Sequence, residues 1–370
     1  MPRHNIPYVN IPAQADEQMA DLLPIIERVV RRGSYVGNDE EVEKLEQRLA
    51  EYCDAKEVVA LNSGTDALFL SMKVAGIGPG DEVITPPNSF VASTATIVQV
   101  GATPVFADVL PDQNVDPAAI ERALTPRTRA IMPVHLTGRV CRMGAIMDIA
   151  RKHKLIVIED AAQAIGSAYQ GRKAGSFGDF GCFSGHPLKN LNAIGDAGFI
   201  ATNDQNAAAR LRRLRNHGMA DRATVEEWGV VSRLDVLQAA ILNYRLDKLP
   251  GVIARRRENA ALYQRLLKHP QIVVPPCKQD EFNTFHTFVV QVDRRDALQT
   301  HLREIGIKTA IHYPIPIHLQ PAAAKLKYKK GDFPVTELQA DRILTLPVNQ
   351  YMSLADVETV AAAVMNFYAA

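Results

Sequence analysis

The stretch Leu155-Ile156-Val157-Ile158-Glu159-Asp160-Ala161-Ala162-Gln163 decides the fold, because a β-branched apolar run ends there in two acids and a small-residue turn. The run predicts a buried strand from Leu155 to Glu159 with Asp160 at its tip. Side chains alternate along a strand, so Glu159 and Asp160 should face opposite sides of the sheet. The sequence therefore predicts a carboxylate at the end of a central strand.

Similar runs alternate with amphipathic helical patterns from about residue 57 to residue 216. The other predicted strands are Glu57 to Leu61, Glu82 to Thr85, Pro104 to Phe106, Ala130 to Val134, Phe180 to Phe183 and Phe199 to Thr202. The predicted helices are Thr65 to Ala75, Ala92 to Val100, Met143 to His153 and Gln205 to Asn216. This alternation predicts an α/β fold in which helices cover both faces of a mostly parallel sheet and the ligand site lies outside the carboxyl ends of the strands.

Segments on either side of this block complete the predicted domain organisation. Two helices precede it, Asp16 to Arg32 and Asp39 to Tyr52. A helical pattern from Leu234 to Leu267 follows, and Pro250-Gly251 predicts a kink and a domain boundary within it. The rest reads as a small α+β domain, with strands near Thr284 to Val292 and Lys308 to Ile311 and helices Arg295 to Glu304 and Leu354 to Phe367. We therefore predict a large domain over residues 1–250 and a small domain over residues 251–370.

Composition narrows the range of function classes. The 370 residues are 47% hydrophobic, enough to fill two cores, and the formal net charge of +1 gives no general attraction to nucleic acid or anionic membranes. Arginine clusters at 210–215 and 255–257 read mostly as solvated helix faces. The 4 cysteines are scattered, without a CxxC pair, which argues against a disulfide framework and a zinc site. No apolar segment resembles a signal peptide or a membrane span, so a soluble cytoplasmic protein is expected, with no metal, nucleic-acid or membrane partner.

Lys189 lies on a glycine-punctuated loop in Gly181-Cys182-Phe183-Ser184-Gly185-His186-Pro187-Leu188-Lys189, after an apolar strand. Surface exposure is the commonest fate of a lysine. Upstream, Val58-Val59-Ala60-Leu61 leads through Asn62-Ser63-Gly64-Thr65 into a helical run. A strand, a small-residue turn and a helix start gather free N–H groups and the helix dipole where a phosphate is stabilised. Taken alone, Ser63 or Thr65 is more often only an N-cap.

The combination points to pyridoxal 5'-phosphate (PLP). Such an enzyme needs an amine for the Schiff base, an acid for the pyridine nitrogen and a phosphate cradle. Asp160 alone would also suit a helix cap or a magnesium ligand, although no second acid is placed to complete a metal site. Phe90 follows a rigid turn, from where its ring would cover a planar cofactor, although a single aromatic is more often a core residue.

These segments resemble the PLP-dependent sugar aminotransferases of the DegT/DnrJ/EryC1/StrS family, within the aspartate-aminotransferase-like fold type I. The resemblance covers nearly the whole chain, in the family's order, and is carried by residues 62–67, 158–164, 183–189, 195–198, 305–307 and 312–318. It implies an aminotransferase that moves an amino group, with glutamate as the donor, to a keto sugar that is nucleotide-linked or a free keto-sugar acid.

The resemblance also implies individual roles. Lys189 would be the Schiff-base lysine, and Asp160 the partner of the pyridine nitrogen. The other implied cofactor contacts are Gln163 at the phenolic oxygen, Phe90 on the ring, and Gly64, Thr65 and Ser184 at the phosphate. Asn243 would reach the phosphate from a neighbouring subunit, which implies a homodimer with shared active sites, although an asparagine bonded within its own helix neighbourhood is the alternative. Candidate substrate contacts are His186, His312, Tyr313 and His318.

Two positions depart from the family pattern. Gly185 stands where an aromatic residue is common, which implies a smaller pocket wall, and Ala197 replaces a frequent glycine. Two other functions remain open. One is a PLP-dependent lyase or dehydratase on the same fold, although family dehydratases carry histidine in place of the lysine. The other is a non-catalytic regulatory member, which would be expected to lack Lys189 or Asp160.

Overall fold

The computed structural model describes residues 4–37, 39–274 and 276–369. In chain order its strands are β1 (Glu57–Leu61), β2 (Glu82–Thr85), β3 (Thr103–Phe106), β4 (Thr128–Ile131), β5 (Ile156–Asp160), β6 (Ala168–Tyr169), β7 (Arg172–Lys173), β8 (Phe180–Ser184), β9 (Gly198–Thr202), β10 (Ile272–Val273), β11 (Glu281–Phe282), β12 (Phe288–Val292) and β13 (Ile343–Leu346). The α-helices are α1 (Ile11–Arg32), α2 (Glu40–Cys53), α3 (Gly64–Val74), α4 (Val91–Gln99), α5 (Pro117–Ala123), α6 (Met143–His153), α7 (Gln205–Leu214), α8 (Val236–Leu266), α9 (Arg295–Glu304), α10 (Pro334–Arg342) and α11 (Leu354–Ala369).

The large sheet has seven strands in the order β1-β9-β8-β5-β4-β2-β3. Strand β9 is antiparallel to both of its neighbours, and the other pairs are parallel. Strand β1 therefore runs in the same direction as β8, and all strands except β9 end at one edge. The predicted mostly parallel sheet is confirmed, and all seven predicted strands form. The bounds differ most at β4, which spans Thr128–Ile131 instead of Ala130 to Val134.

Helices cover both faces of this sheet, as the alternating side chains of β1 show. Val58 and Ala60 enter one buried cluster with residues of α2 and α6, whereas Val59 and Leu61 enter a second cluster with residues of α3 and α7. A strand buried on both faces needs apolar side chains at every position, which explains its unbroken apolar sequence. Because both faces are apolar, the carboxyl edge of the sheet is where it can present polar side chains.

Helix α8 runs without a break from Val236 to Leu266, so the prediction of an interruption at Pro250-Gly251 was wrong. Pro250 is exposed, and buried residues on both sides of it, Leu249 and Ile253, pack in the same cluster. This packing holds the helix together across the proline, since tertiary contacts supply most helix stability. Further along, Tyr263 packs in the core of the C-terminal part, so one helix serves both cores.

The C-terminal part is built on the antiparallel sheet β10-β12-β13. The predicted strand from Lys308 to Ile311 does not form, because only Ala310 pairs there, with Thr345 in a single bridge. Ile6 pairs with Ile307 and packs in the C-terminal core, so the described residues before α1 contact this part of the chain. The boundary near residue 250 stays a prediction. Among the described helices, none combines the length and apolar character required to cross a bilayer.

Candidate active site

The start of α3 forms a cradle against the end of β8. Ser63 caps the helix, accepting from the N–H of Asp66 at 3.1 Å, so the N-cap alternative is correct for this residue. The next two N–H groups, of Gly64 and Thr65, have no protein acceptor among the described residues, as expected for a first helical turn. A Cβ added to Gly64 would lie 2.7 Å from Ser184 Cβ. Glycine at position 64 therefore lets Ser184 approach these free donors.

Asp160 ends β5 beside this cradle and is only 5% exposed. Its Oδ2 accepts from Ser93 Oγ at 2.7 Å, and its Oδ1 accepts from the N–H of Ala162 at 3.2 Å. Glu159 is completely buried and has a separate set of partners: the N–H groups of Gly175, Phe177 and Gly178, and the ring of His135 at 2.8 Å. The two adjacent carboxylates therefore have different tasks, and only Asp160 faces the edge of the sheet where the cradle lies.

Lys189 follows β8 on a tightly folded loop. Its N–H donates to His186 O at 2.8 Å, and the N–H of Ala193 donates to Gly185 O at 2.7 Å. Burial lowers the pKa of Lys189 from 10.5 to about 8, an effect that the negative charge of Asp160 partly offsets. No hydrogen-bond acceptor for Nζ occurs among the described residues. The structure thus brings a partly neutral amine within the electrostatic influence of the Asp160 carboxylate, as the predicted chemistry requires.

The two positions that depart from the family pattern are in contact. A Cβ on Gly185 would lie 2.9 Å from the methyl carbon of Ala197, which is buried. Real Cβ atoms essentially never come so close, so the methyl group at position 197 occupies the room that a side chain at position 185 would need. The residues at positions 185 and 197 are therefore coupled, because an alanine at 197 requires a glycine at 185.

We expect Gly185→Ala to destabilise the protein by about 1–3 kcal/mol through overpacking. Adding Ala197→Gly should recover most of this loss, although Ala197→Gly alone costs about 0.5–1 kcal/mol. Denaturant unfolding of the four proteins of a double-mutant cycle measures the coupling. Strictly additive effects would contradict the contact between the two positions.

Tyr313 contacts both Phe90, which is exposed, and Gln163, which is buried. Phe90 is 54% exposed, with its ring centroid 5.9 Å from that of Tyr313. Gln163 Oε1 accepts from the N–H of Thr137 at 2.8 Å, and its Nε2 lies 3.5 Å from the Tyr313 hydroxyl. Phe90 is therefore not a core residue, and stacking of its ring on the cofactor stays a prediction.

The predicted substrate histidines differ in their surroundings. His186 is exposed on the Lys189 loop. His312 bonds to Thr345 Oγ1 at 2.9 Å, and burial, helped by the charge of Lys189, lowers its pKa to about 4. His318 is 3% exposed, bonds to Glu337 at 3.0 Å and packs edge-on against Phe333, while its Nδ1 is buried without a hydrogen-bond partner. A contact of His318 with substrate stays a prediction.

The side chain of Asn243 is used within its own chain. Its Nδ2 donates to the carbonyl oxygen of Glu41 at 2.9 Å and to a carboxylate oxygen of Glu41 at 3.2 Å, while Arg48 donates to its Oδ1 at 3.2 Å. These contacts are made with a neighbouring helix of the same chain. They agree with the alternative that Asn243 is bonded within its own helix neighbourhood. A contact with the phosphate of a second subunit therefore rests on the family resemblance alone and stays a prediction.

Asn243→Ala separates the two roles. Loss of the contacts with Glu41 and Arg48 should lower the free energy of unfolding by about 1–3 kcal/mol, because buried polar partners are left unsatisfied. If these contacts are its only role, the affinity for PLP is unchanged when both proteins are folded. A drop in PLP affinity of more than tenfold, measured by equilibrium titration well below the melting temperature, would instead support the intersubunit contact.

Several residues near the site were not predicted from sequence. Ser93, which holds Asp160, lies in α4 among ordinary small polar residues. Tyr8, His286 and Arg256 line a cavity together with Leu188 and His312, beside the Lys189 loop. Arg256 corrects the interpretation of the 255–257 cluster as a solvated face, since it is 5% exposed. No pattern along the sequence distinguishes Arg256 from its two neighbours.

The residues present fit PLP in number and in chemistry. Free N–H groups and a hydroxyl form an anion cradle, and the aromatic face of Phe90 is exposed. A buried carboxylate lies at the strand end, and a lysine of lowered pKa completes the set. The close approach at Gly64 brings Ser184 beside the free N–H groups, and the charge of Asp160 acts on Lys189. Each requirement of the cofactor, for phosphate, ring, ring nitrogen and aldehyde, thus has a candidate side chain or backbone group.

Comparison with known proteins agrees with this reading. A family model described as the DegT/DnrJ/EryC1/StrS aminotransferase family matches residues 17–365. A pleiotropic regulatory protein of Geobacillus stearothermophilus is 40% identical over 98% of this chain and 99% of its own length. The dTDP-3-amino-3,4,6-trideoxy-alpha-D-glucose transaminase of Streptomyces venezuelae is 41% identical over 94% of this chain and 92% of its own.

Solved structures extend the likeness to the whole fold. DesV from S. venezuelae superposes with a TM-score of 0.96 at 40% identity, covering 99% of both chains. Other similar chains, 25–31% identical, were solved in PLP and PMP forms. The family model spans nearly the whole sequence, and the relatives are matched over nearly their whole length. The chain therefore belongs to the DegT/DnrJ/EryC1/StrS aminotransferase family.

Proposed function

We propose that this protein, a PLP-dependent sugar aminotransferase, moves an amino group from glutamate to the carbonyl carbon of a keto sugar. The single observation that carries the proposal is the pairing of Lys189, whose pKa is lowered to about 8, with the buried carboxylate of Asp160 beside a phosphate cradle. A lysine and an acid that only served stability would not need such an arrangement at the carboxyl edge of the sheet.

The cofactor would be held by groups already described. The N–H groups of Gly64 and Thr65 and the hydroxyl of Ser184 would bind the phosphate, Phe90 would cover the ring, and Asp160 would keep a proton on the ring nitrogen. When bound, PLP supplies an aldehyde for amine exchange and a ring that accepts the electron pair left by a departing proton. Ser93 keeps the carboxylate oriented through its 2.7 Å hydrogen bond, so Asp160 is positioned before the reaction begins.

Lys189 would move the proton. With a pKa of about 8, roughly a tenth of the amine is neutral at pH 7, far more than for an ordinary lysine. With PLP bound, the neutral Nζ of Lys189 would take the proton from the α-carbon of the amino donor and would later return a proton as a general acid. The donor would take up one water and leave as a 2-keto acid. The same groups working in reverse convert the sugar carbonyl into an amine, and its oxygen leaves as water.

The finer parts of the proposal rest on different supports. The relative named as a dTDP-sugar transaminase favours a nucleotide-linked keto sugar, and a free keto-sugar acid is the second candidate. Glutamate as the donor, and a homodimer with shared active sites, follow from the family resemblance. The arrangement of Gly185 and Ala197 supports a pocket wall that differs from that of relatives with an aromatic residue at position 185.

A screen of keto sugars against the PMP form tests the function. The protein is loaded with PMP, freed of amino donor and mixed with single keto sugars, and return of the PLP absorbance identifies the acceptor. The corresponding sugars, in which a hydroxyl group replaces the keto group, serve as controls. Consumption of a keto sugar by the PLP form without any amino donor would instead indicate a lyase or dehydratase. If glutamate leaves the PLP absorbance unchanged, the assignment of the donor is wrong.

A further inference from the structure

A buried polar network holds the segment of chain that carries Lys189. Residues 185–197, which connect β8 to β9 and contain no helix or strand, are called the lysine loop here. Within it, Asn192 Nδ2 donates to Pro187 O at 2.6 Å. Because Lys189 lies between these two residues, a single side chain joins the two sides of the turn that carries the amine. The position of Lys189 therefore depends on how firmly Asn192 is held.

Helix α1 holds Asn192 from one side. The side-chain amides of Gln14 and Asn192 exchange two hydrogen bonds, in which each nitrogen donates to the oxygen of the other at 3.0 Å. Both residues are buried, each with 5% of its surface exposed. Replacement of either amide would leave polar atoms of the other unsatisfied, which is costly in a buried place. The first turns of α1 are thereby fixed to the lysine loop.

Arg245 of helix α8 holds Asn192 from the other side. Its Nη1 donates to Asn192 O at 2.8 Å and lies 3.2 Å from both Asn192 Oδ1 and Ala193 O, while its Nε donates to Gln18 Oε1 at 2.9 Å. Arg245 is buried and has no acidic partner among the described residues. Burial lowers the pKa of Arg245, but an arginine keeps its charge at neutral pH. Stability alone does not explain this residue, because an unpaired buried charge is costly and apolar side chains of similar volume are often as stable.

Resting on the proposed function, we propose that Arg245 is a positioning residue, which acts through Asn192 to keep the lysine loop, and with it Lys189 Nζ, in one place during the reaction. Nζ has two tasks there, since it first attaches the cofactor and later moves the proton. A misplacement of about 1 Å can cost a hundredfold in rate, so a loop without regular structure needs such support. A guanidinium suits this task, because its planar fork reaches several acceptors in a fixed geometry.

Arg245→Met tests the proposal, because methionine fills part of the same space without the guanidinium. In the holoenzyme, the rate constants of both half-reactions should fall about 10- to 100-fold. The half-saturating concentrations of glutamate and keto sugar should change less than about twofold, because Arg245 contacts the loop and α1 and does not line the cavity beside Lys189. Unchanged rate constants in a folded variant overturn the proposal.

Two measurements on the apoenzyme separate positioning from a contribution to stability. A loosened loop should hydrate Lys189 Nζ, so the pH midpoint of covalent PLP capture should rise in Arg245→Met from about 8 toward 10.5. Amide hydrogen exchange within residues 185–197 should become faster. Neither measurement needs an amino donor or a sugar. If the unaltered protein does not capture PLP, the proposed function fails, whereas an unchanged midpoint and unchanged exchange in Arg245→Met overturn only the positioning role.

Arg295→Met is the matched control. Arg295 Nη1 donates to the carbonyl oxygens of Ala340 and Ile343, both at 3.1 Å, so this variant also removes a guanidinium that bridges two backbone carbonyl groups. Because these carbonyl groups lie outside the lysine loop, the rate constants and the midpoint of PLP capture should be unchanged. Equal kinetic losses in the two variants would overturn the proposal.

Two other variants complete the test. Arg245→Lys keeps the charge but not the fork, so it should restore only part of the rate. Full restoration would show that the charge alone acts on Lys189, and would overturn the positioning role. If Arg245→Met does not fold, Gln14→Met decides, because it breaks the amide pair and leaves Arg245 in place. Its rate constants should fall about 3- to 10-fold with faster exchange in the loop, and wild-type values of both would overturn the proposal.

Discussion

Lys189→Ala should lower the rate of amino transfer by a factor of about a thousand or more, because it removes both the attachment point of the cofactor and the base that moves the proton. Its fold should be unaffected, since Nζ has no hydrogen-bond partner among the described residues and loss of a half-buried amine removes part of a desolvation cost. Stopped-flow absorbance measures the rate, and circular dichroism checks the fold. The exposed Lys325→Ala is the control. A borohydride-reducible link to PLP that persists in Lys189→Ala would contradict the assignment.

The pH dependence of cofactor capture follows from the same lysine. Only the neutral amine attacks an aldehyde, so the rate at which apoenzyme binds PLP covalently should rise with pH and level off above about 8, not 10.5. The negative charge of Asp160 raises the pKa of Lys189, so Asp160→Asn should move this midpoint to lower pH. A midpoint near 10.5 in the unaltered protein would show that its surroundings do not lower the pKa of this amine.

Local patterns were sufficient to predict the large sheet, because its strands are short, apolar and separated by capped helices. Asp160 and Lys189 were predictable for a related reason: Asp160 ends such a strand, Lys189 lies on the loop after another, and parallel strands place their carboxyl ends together. The unbroken α8 was not predictable, because Pro250 favours an interruption locally, whereas Leu249 and Ile253 on both sides of it pack in one buried cluster.

The parts of the site that sequence reasoning missed depend on burial. Arg256 and its two arginine neighbours look alike in the sequence, yet only Arg256 turns into a cavity. His318 sits in a motif beside Tyr313, yet Phe106 and Phe333 pack against its ring. Contacts between residues distant in the chain decide these cases, and a single sequence without such contacts cannot separate an exposed histidine or arginine from a buried one.

Asp160→Asn should slow the proton-transfer step by about a hundred- to a thousandfold while leaving the protein folded. An asparagine can keep the Ala162 N–H bond through its oxygen and donate from its amide to Ser93 Oγ, which accepts as readily as it donates. Shape and hydrogen bonds are thus preserved, and only the negative charge at the ring nitrogen is lost. Rapid mixing of the PLP form with glutamate measures the step. An unchanged half-reaction would exclude this role for Asp160.

The neighbouring Glu159→Gln should give the opposite result. Glu159 accepts from three backbone N–H groups, at 2.7–2.8 Å, and from His135, whose Nδ1 accepts from Cys141 and whose Nε2 therefore carries the proton. A glutamine would turn an amide donor toward at least one of these donors, which costs about 1–3 kcal/mol per buried group left unsatisfied. We therefore expect a lower melting temperature and, in the fraction that stays folded, a nearly normal half-reaction. A purely structural carboxylate cannot be needed for proton transfer in a protein that remains fully folded. Loss of rate without loss of stability in Glu159→Gln would therefore mean that both acids of this strand take part in the chemistry.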